Sequence, residues 1–200
     1  LKKIVLCNSL LFFCFILDCI YNYLIKFMPL LPKPIKKNSQ IKIINNTMLK
    51  LKLMKGTYNL IICQKENINI KVGAIGNDIK FPKGYYVYTG SAMNSLTSRI
   101  KRHLRKEKKL HWHIDYLLKN DNNYIKEVLF TISDKRVECE LAQLISDKRE
   151  TIDNFGSSDC KCNSHLTYFK DYDTAIENVE NAYKTLNMKY HDLEYFKKLD

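Results

Sequence analysis

The sequence predicts an α+β fold: a small antiparallel β-sheet flanked by helices, preceded by a hydrophobic N-terminal extension. Three observations carry this. Runs of aromatic and β-branched residues, TYNLIIC over 57–63 and GYYVYTG over 84–90, read as strands. Turn residues separate the strand candidates closely enough for antiparallel pairing through short loops. Leu96, Ile100 and Leu104 then recur at the spacing of one helix face. No internal repeat, P-loop or GxGxxG fingerprint is present.

The chain has 200 residues, enough for one domain with a core, and its 46% hydrophobic and 27% charged content is ordinary for a globular protein. The net charge of +12 is concentrated at one end: residues 1–53 hold nine lysines and the single acid Asp18. The remainder is only mildly basic, so the total is no nucleic-acid footprint for the domain, and a modest local patch is the most it supports. Seven cysteines, an odd count without repeated paired spacing, argue against a secreted disulfide framework as the organising device.

Ile4 to Phe27 is apolar and aromatic, broken by Asn8, Asp18 and Asn22. Its length suits a membrane-crossing helix of roughly 20 residues. No small-residue cleavage site marks it as a signal peptide. It contains no glycine, and Met54 stands directly before the first strand, where a natural start would stand. The preferred reading is that 1–53 is a hydrophobic, basic extension and linker, not native to the domain. A cytoplasmic protein is then expected. The alternative is a membrane anchor through residues 4–27, which would make a membrane the partner. A domain over 54–170 and a helical extension over 171–200 complete the expected organisation.

Within the domain, Thr57–Cys63 is the first strand and Ile68–Ala74 the second. Asn77-Asp78 and Pro82-Lys83-Gly84 mark turns, and the tyrosine run is the third strand. Asn94 or Ser95 caps a helix over Leu96–Arg105. A short helix over His111–Leu118 turns Leu110, Ile114, Leu117 and Leu118 inward. Tyr124–Ile132 is a strand, Val137–Ile145 a helix and Leu166–Phe169 a short edge strand. Asp173 caps a last amphipathic helix carrying Ile176, Val179, Tyr183 and Leu186, and the tail YHDLEYFKKLD is helical.

A tyrosine-ended strand feeding a helix with Arg99 and His103 one turn apart is a suitable floor for a phosphate-handling cleft. The basic run Lys101, Arg102, Arg105, Lys106, Lys108 and Lys109 is either a solvated face or a phosphate-facing patch. On the 137–145 helix, Glu138 shares the apolar face of Leu141, Ala142 and Ile145, whereas Glu140 points away. A carboxylate on such a face asks for a partner or a cation.

Gly56-Thr57-Tyr58, Tyr88-Thr89-Gly90, Arg99, His103, the HWHIDYL block over 111–117, Glu138-Cys139 and the FGSSDCKCNSHL block over 155–166 form an ordered series. The series resembles the GIY-YIG nuclease superfamily, and within it an archaeal-type subfamily known as domain of unknown function number 123. The resemblance implies a divalent-metal-dependent endonuclease hydrolysing phosphodiester bonds, with DNA favoured over RNA and a role in repair. It implies that Tyr58 orients or deprotonates the water, that Tyr88 lines the site and that Arg99 holds the phosphate. His103 would assist proton transfer or bond Tyr58, and Glu138 would hold Mg²⁺ or another hard divalent cation. A free phenol has a pKa of about 10, so Tyr58 would need a nearby cation to ionise. Lys101, Arg102, Arg105, His111 and His113 are the expected nucleic-acid contacts. Two other functions compete: a binding module that does not cut, and a zinc-stabilised interaction domain. For zinc, Cys160, Cys162 and His165 would need Cys139 or His113 as a fourth ligand, and the C-x-C-x₂-H spacing is uncommon. A buried loop hydrogen-bonded through Ser157, Ser158 and Asp159 is preferred, with no stoichiometric zinc expected.

Overall fold

The computed structural model describes residues 54–76 and 78–199; the extension, its apolar stretch at 4–27 and the linker lie outside the described residues. Among the described residues no helix is long and apolar enough to cross a membrane. The fold is α+β. Strands β1 (Gly56–Gln64), β4 (Gly84–Ala92), β5 (Asn123–Ile132) and β6 (Leu166–Phe169) form an antiparallel sheet in the order β5-β1-β4-β6. Strands β2 (Ile68–Lys71) and β3 (Asp78–Phe81) pair as a separate ribbon. Helices α1 (Leu96–Leu104), α2 (His113–Leu118), α3 (Glu138–Ser146), α4 (Tyr172–Thr185) and α5 (Leu193–Lys198) flank the sheet.

The period of two along the strands sorts the side chains into two cores. One face carries Tyr58, Leu60, Ile62, Tyr86, Tyr88, Val128 and Phe130, packed with Leu96 and Ile100 of α1, Ile114 and Leu117 of α2, and Phe196 of α5. The other carries Ile61, Val87 and Leu129 against Leu141 and Ile145 of α3 and Val179 and Tyr183 of α4. The strands of the sheet fall where the sequence places them, because strong β-formers alternate there without a break.

Several boundaries differ. The second strand ends at Lys71, where Val72 turns inward and a 3-10 turn over Gly73–Ile75 follows. The segment read as turns holds β3, a four-residue strand too short to show a period. Ser95 caps α1, its hydroxyl accepting from the Ser98 amide at 3.2 Å. Leu104 does not complete the apolar stripe: it is 41% exposed, while His103 beside it is 2% exposed. Asp171, not Asp173, caps α4, its carboxylate accepting from the Thr174 amide at 2.8 Å.

Candidate functional site

The cleft forms where the sheet runs out of a strand. Strand β6 pairs with β4 only as far as Tyr88↔Leu166. Beyond that point the chain before β6 continues the edge, the Thr89 amide donating to the His165 carbonyl at 2.9 Å. The last residues of β4 are thus bordered by a loop, and the N-terminus of α3, which packs on the opposite face, reaches the same edge.

Register places the tyrosines. Tyr58 on β1 stands opposite Gly90, and Tyr88 opposite Leu60, so the two phenols are diagonal neighbours on one face. Their ring centroids are 6.5 Å apart. Gly90 is there for space: a Cβ on it would lie 2.5 Å from the Tyr58 hydroxyl. Helix α1 crosses above and brings His103 to Tyr58, with the hydroxyl 2.8 Å from Nε2. Burial, then the Lys108 ammonium, push the His103 pKa down to about 3, so the ring is neutral. Its Nδ1 has no hydrogen-bond partner among the described residues. Burial and the neighbouring Tyr88 push the Tyr58 phenol well above its ordinary value. Arg99 opposes this but does not prevail, so the cation that ionisation would need is present without being enough, and Tyr58 stays neutral.

Arg99 lies with its guanidinium 4.0 Å above the Trp112 ring, and Arg102 packs at 4.1 Å on the same indole. Arg102 is engaged within the fold. It donates twice to the fully buried Asp115 carboxylate, at 2.8 Å each, and once to the Lys109 carbonyl. Asp115 also accepts from the His111 and Trp112 amides, tying the HWHID segment to α1. Burial alone would raise the Asp115 pKa, but these donors hold it below the ordinary value.

Glu138, the first residue of α3, has a side chain 17% exposed. Its Oε2 accepts from the Ser91 hydroxyl, and its Oε1 lies 3.3 Å from His165 Nδ1. Burial would raise its pKa, yet the His165 and Ser91 contacts, with the charge of Arg136, hold it down, so it is ionised at neutral pH. Glu140 is exposed.

Tyr58, Tyr88, Arg99 and Glu138 line one cleft of about 380 Å³, together with Ser91, Trp112 and Arg136. His103 sits behind Tyr58 and does not line it. His111 and His113 stand on the rim, the former exposed, the latter accepting through Nδ1 from the Gly156 amide at 3.1 Å. Lys101 lies farther along α1 and Arg105 just past its end, and neither lines the cleft. Sequence reasoning missed Ser91, Asp115, Arg136 and the stacking role of Trp112. The one usable signal was that Trp112 is the chain's single tryptophan, set between two histidines.

A second cluster lies across Glu138. Cys139 of α3 joins Cys160, Cys162 and His165, and the four ligand atoms lie within 4.8 Å of one another. Cys160 Sγ is 3.4 Å from His165 Nε2. Such a set can hold a metal such as zinc, and it brings in Cys139 as the fourth ligand that spacing alone left open. The loop is also less enclosed than expected: Ser157 is buried, its hydroxyl donating to the Asn163 carbonyl at 3.3 Å, but Ser158 and Asp159 are exposed. Burial and the neighbouring thiols push the Cys139 pKa up to about 12.

Residues 57–188 match the family model described as Domain of unknown function DUF123. Comparison with curated proteins and with solved structures found no match.

Proposed function

The chain belongs to the DUF123 family, and we propose that it is a divalent-metal-dependent endonuclease of the GIY-YIG kind, hydrolysing phosphodiester bonds in DNA. The observation that supports this reading is the meeting of Tyr58, Tyr88, Arg99 and Glu138, drawn from four separate elements, around one cleft. Fold and cleft together suit a phosphate ester better than an apolar ligand.

Glu138 fits a hard cation. It is ionised, and each oxygen keeps lone pairs beyond those facing Ser91 and His165. Mg²⁺ binds through one or two carboxylates and otherwise uses water and phosphate oxygens. When bound, the cation stabilises charge on the phosphate oxygens. Arg99, stacked on Trp112, offers the edge of its guanidinium to the phosphate in a fixed plane. In the tautomer with the His103 ring proton on Nδ1, the Tyr58 hydroxyl donates a hydrogen bond to Nε2 and turns a lone pair to the cleft, where it accepts a hydrogen bond from the attacking water. The water's proton passes to Tyr58 as the phenol proton passes to His103 Nε2. Buried His103 makes that transfer uphill, so orientation of the water is the main contribution of the pair.

The test uses single-stranded, duplex, nicked and branched DNA, and matching RNA, with Mg²⁺ or Mn²⁺. Glu138→Gln is expected to lower cleavage at least ~100-fold while leaving binding within a few-fold. Arg99→Ala is expected to weaken both. Tight binding that depends on Arg99, with no strand cut under any divalent metal, replaces this reading with that of a binding module.

A further inference from the structure

We propose that Cys139, Cys160, Cys162 and His165 form a closed structural zinc site, in which His165 binds the ion through Nε2 and presents its Nδ1–H to Glu138. The site goes beyond the nuclease reading and does not depend on it.

Geometry carries the proposal. A tetrahedral zinc ion with Zn–S near 2.3 Å and Zn–N near 2.0 Å implies S···S edges of about 3.8 Å and S···N edges of about 3.5 Å. The four ligand atoms already lie within 4.8 Å of one another, and one edge, Cys160 Sγ to His165 Nε2, is 3.4 Å. Closing the remainder needs about an ångström, within reach of side-chain rotation. The ligands come from distant stretches of chain. Cys139 is the second residue of α3, Cys160 and Cys162 lie in the irregular loop before β6, and His165 is 2% exposed at the end of that loop. A bound ion joins the loop to the helix.

Ligand softness separates this ion from the one proposed at Glu138. Three thiolates and an imidazole in tetrahedral array suit zinc, whereas a lone carboxylate beside hydroxyls and water suits a hard cation. Four protein ligands leave no open position, which marks a structural rather than a catalytic ion. On binding, the three thiols lose their protons to solvent, His165 binds as the neutral ring, and no electron is transferred.

His165 connects the two halves of the site. Ligation through Nε2 requires the ring proton to sit on Nδ1, an atom 3.3 Å from Glu138 Oε1 that makes no well-aligned hydrogen bond as the ring stands, so the rotation that closes the zinc site must also align this pair. Without the ion either tautomer is open to the ring, and one of them turns a lone pair to the carboxylate. Zinc thereby fixes a donor on one oxygen of Glu138 while Ser91 donates to the other. His165 and the ion act on the cleft by positioning this carboxylate.

The experiment uses the full chain, purified under reductant, loaded with zinc and dialysed. Elemental analysis is expected to find one zinc per chain, and X-ray absorption at the zinc edge a shell of three sulfurs and one nitrogen. Cobalt(II) in its place is expected to give the thiolate charge-transfer bands of a tetrahedral site. Cys139→Ser and Cys162→Ser should each lose the stoichiometric ion, while serine at Cys7, Cys14 and Cys19 together leaves it. Glu138→Gln should weaken zinc ~10- to 100-fold in competition with a chromophoric chelator. The absorption shell and the cobalt spectrum are read on the unaltered sequence, so a variant that fails to fold does not remove the test. Substoichiometric zinc after loading, a shell of oxygen and nitrogen alone, iron in its place, or a disulfide from Cys139 to the loop overturns the site. Unchanged affinity in Glu138→Gln overturns the link to the cleft. A chain that holds zinc but cuts nothing refutes only the nuclease reading, and one that cuts without zinc refutes only this one.

Discussion

His103 should make the fold acid-sensitive by an amount that can be worked out. Its pKa falls from 6.5 to about 3, through burial first and then Lys108, with Arg99 and Arg102 adding to the fall and Asp115 opposing it. As pH drops below the unfolded value, the unfolded chain takes up a proton that the native chain refuses. Stability is therefore lost as pH falls, from about 6.5 downward. Between pH 7.5 and 5.0 this one group costs about 2 kcal/mol, since each pH unit below the unfolded value costs about 1.4 kcal/mol and about 1.5 pH units separate that value from pH 5.0. Any native value below about 4 gives the same figure, so the result does not depend on how far below that the native pKa lies. The assay is urea unfolding of the full chain and of His103→Gln at both pH values. Other titrating groups are common to both chains and cancel in the double difference. The native sequence should lose about 2 kcal/mol more than the variant on acidification. Equal losses within ~0.5 kcal/mol would refute the reasoning. So would an NMR titration of the His103 ring in the folded chain with a midpoint between about 6 and 7, the range of an unburied imidazole.

Two further predictions concern packing around the cleft. Gly90→Ala places a Cβ 2.5 Å from the Tyr58 hydroxyl, so it should destabilise by about 1–3 kcal/mol and break the contact with His103; an unchanged melting temperature would show that Tyr58 yields freely. Arg102→Met strands the buried Asp115 carboxylate on two backbone donors and should cost about 3–5 kcal/mol. Because the Asp115 pKa is depressed in the fold, its stabilisation is present above the ordinary carboxylate value and lost as pH falls through the lowered one. The variant's acid transition should move to higher pH, and a urea midpoint shifted by less than the equivalent of ~1 kcal/mol would sink this account.

Local signals were legible wherever side chains repeat at a structural period. Alternation fixed β1, β4 and β5, and the i, i+4 spacing of Leu96 and Ile100 fixed α1. Where the period fades, reading failed for definable reasons. Strand β3 has four residues, too few to distinguish from the turns around it. Asp171 and Asp173 are both residues of a capping type, and the helix begins between them, with Asp171 as the cap and Asp173 in the first turn. Leu104 fits the apolar stripe by spacing, but an i, i+4 row drifts around a 3.6-residue helix, and His103 takes the third inward position while Leu104 faces solvent.

The sequence by itself determined the strands β1, β4, β5 and β6 and the helix carrying Leu96 and Ile100, and that Glu138 rather than Glu140 faces inward, because these follow from covalent geometry and local periodicity. Only the tertiary structure decided what those residues meet. The short β6 opens the sheet edge and lets a helix on one face deliver Glu138 to tyrosines on the other. The same packing brings Cys139 to Cys160, Cys162 and His165, a grouping their spacing does not reveal. Contacts of this kind depend on register and on where strands end, which are set by long-range burial and not by the neighbours of any one residue.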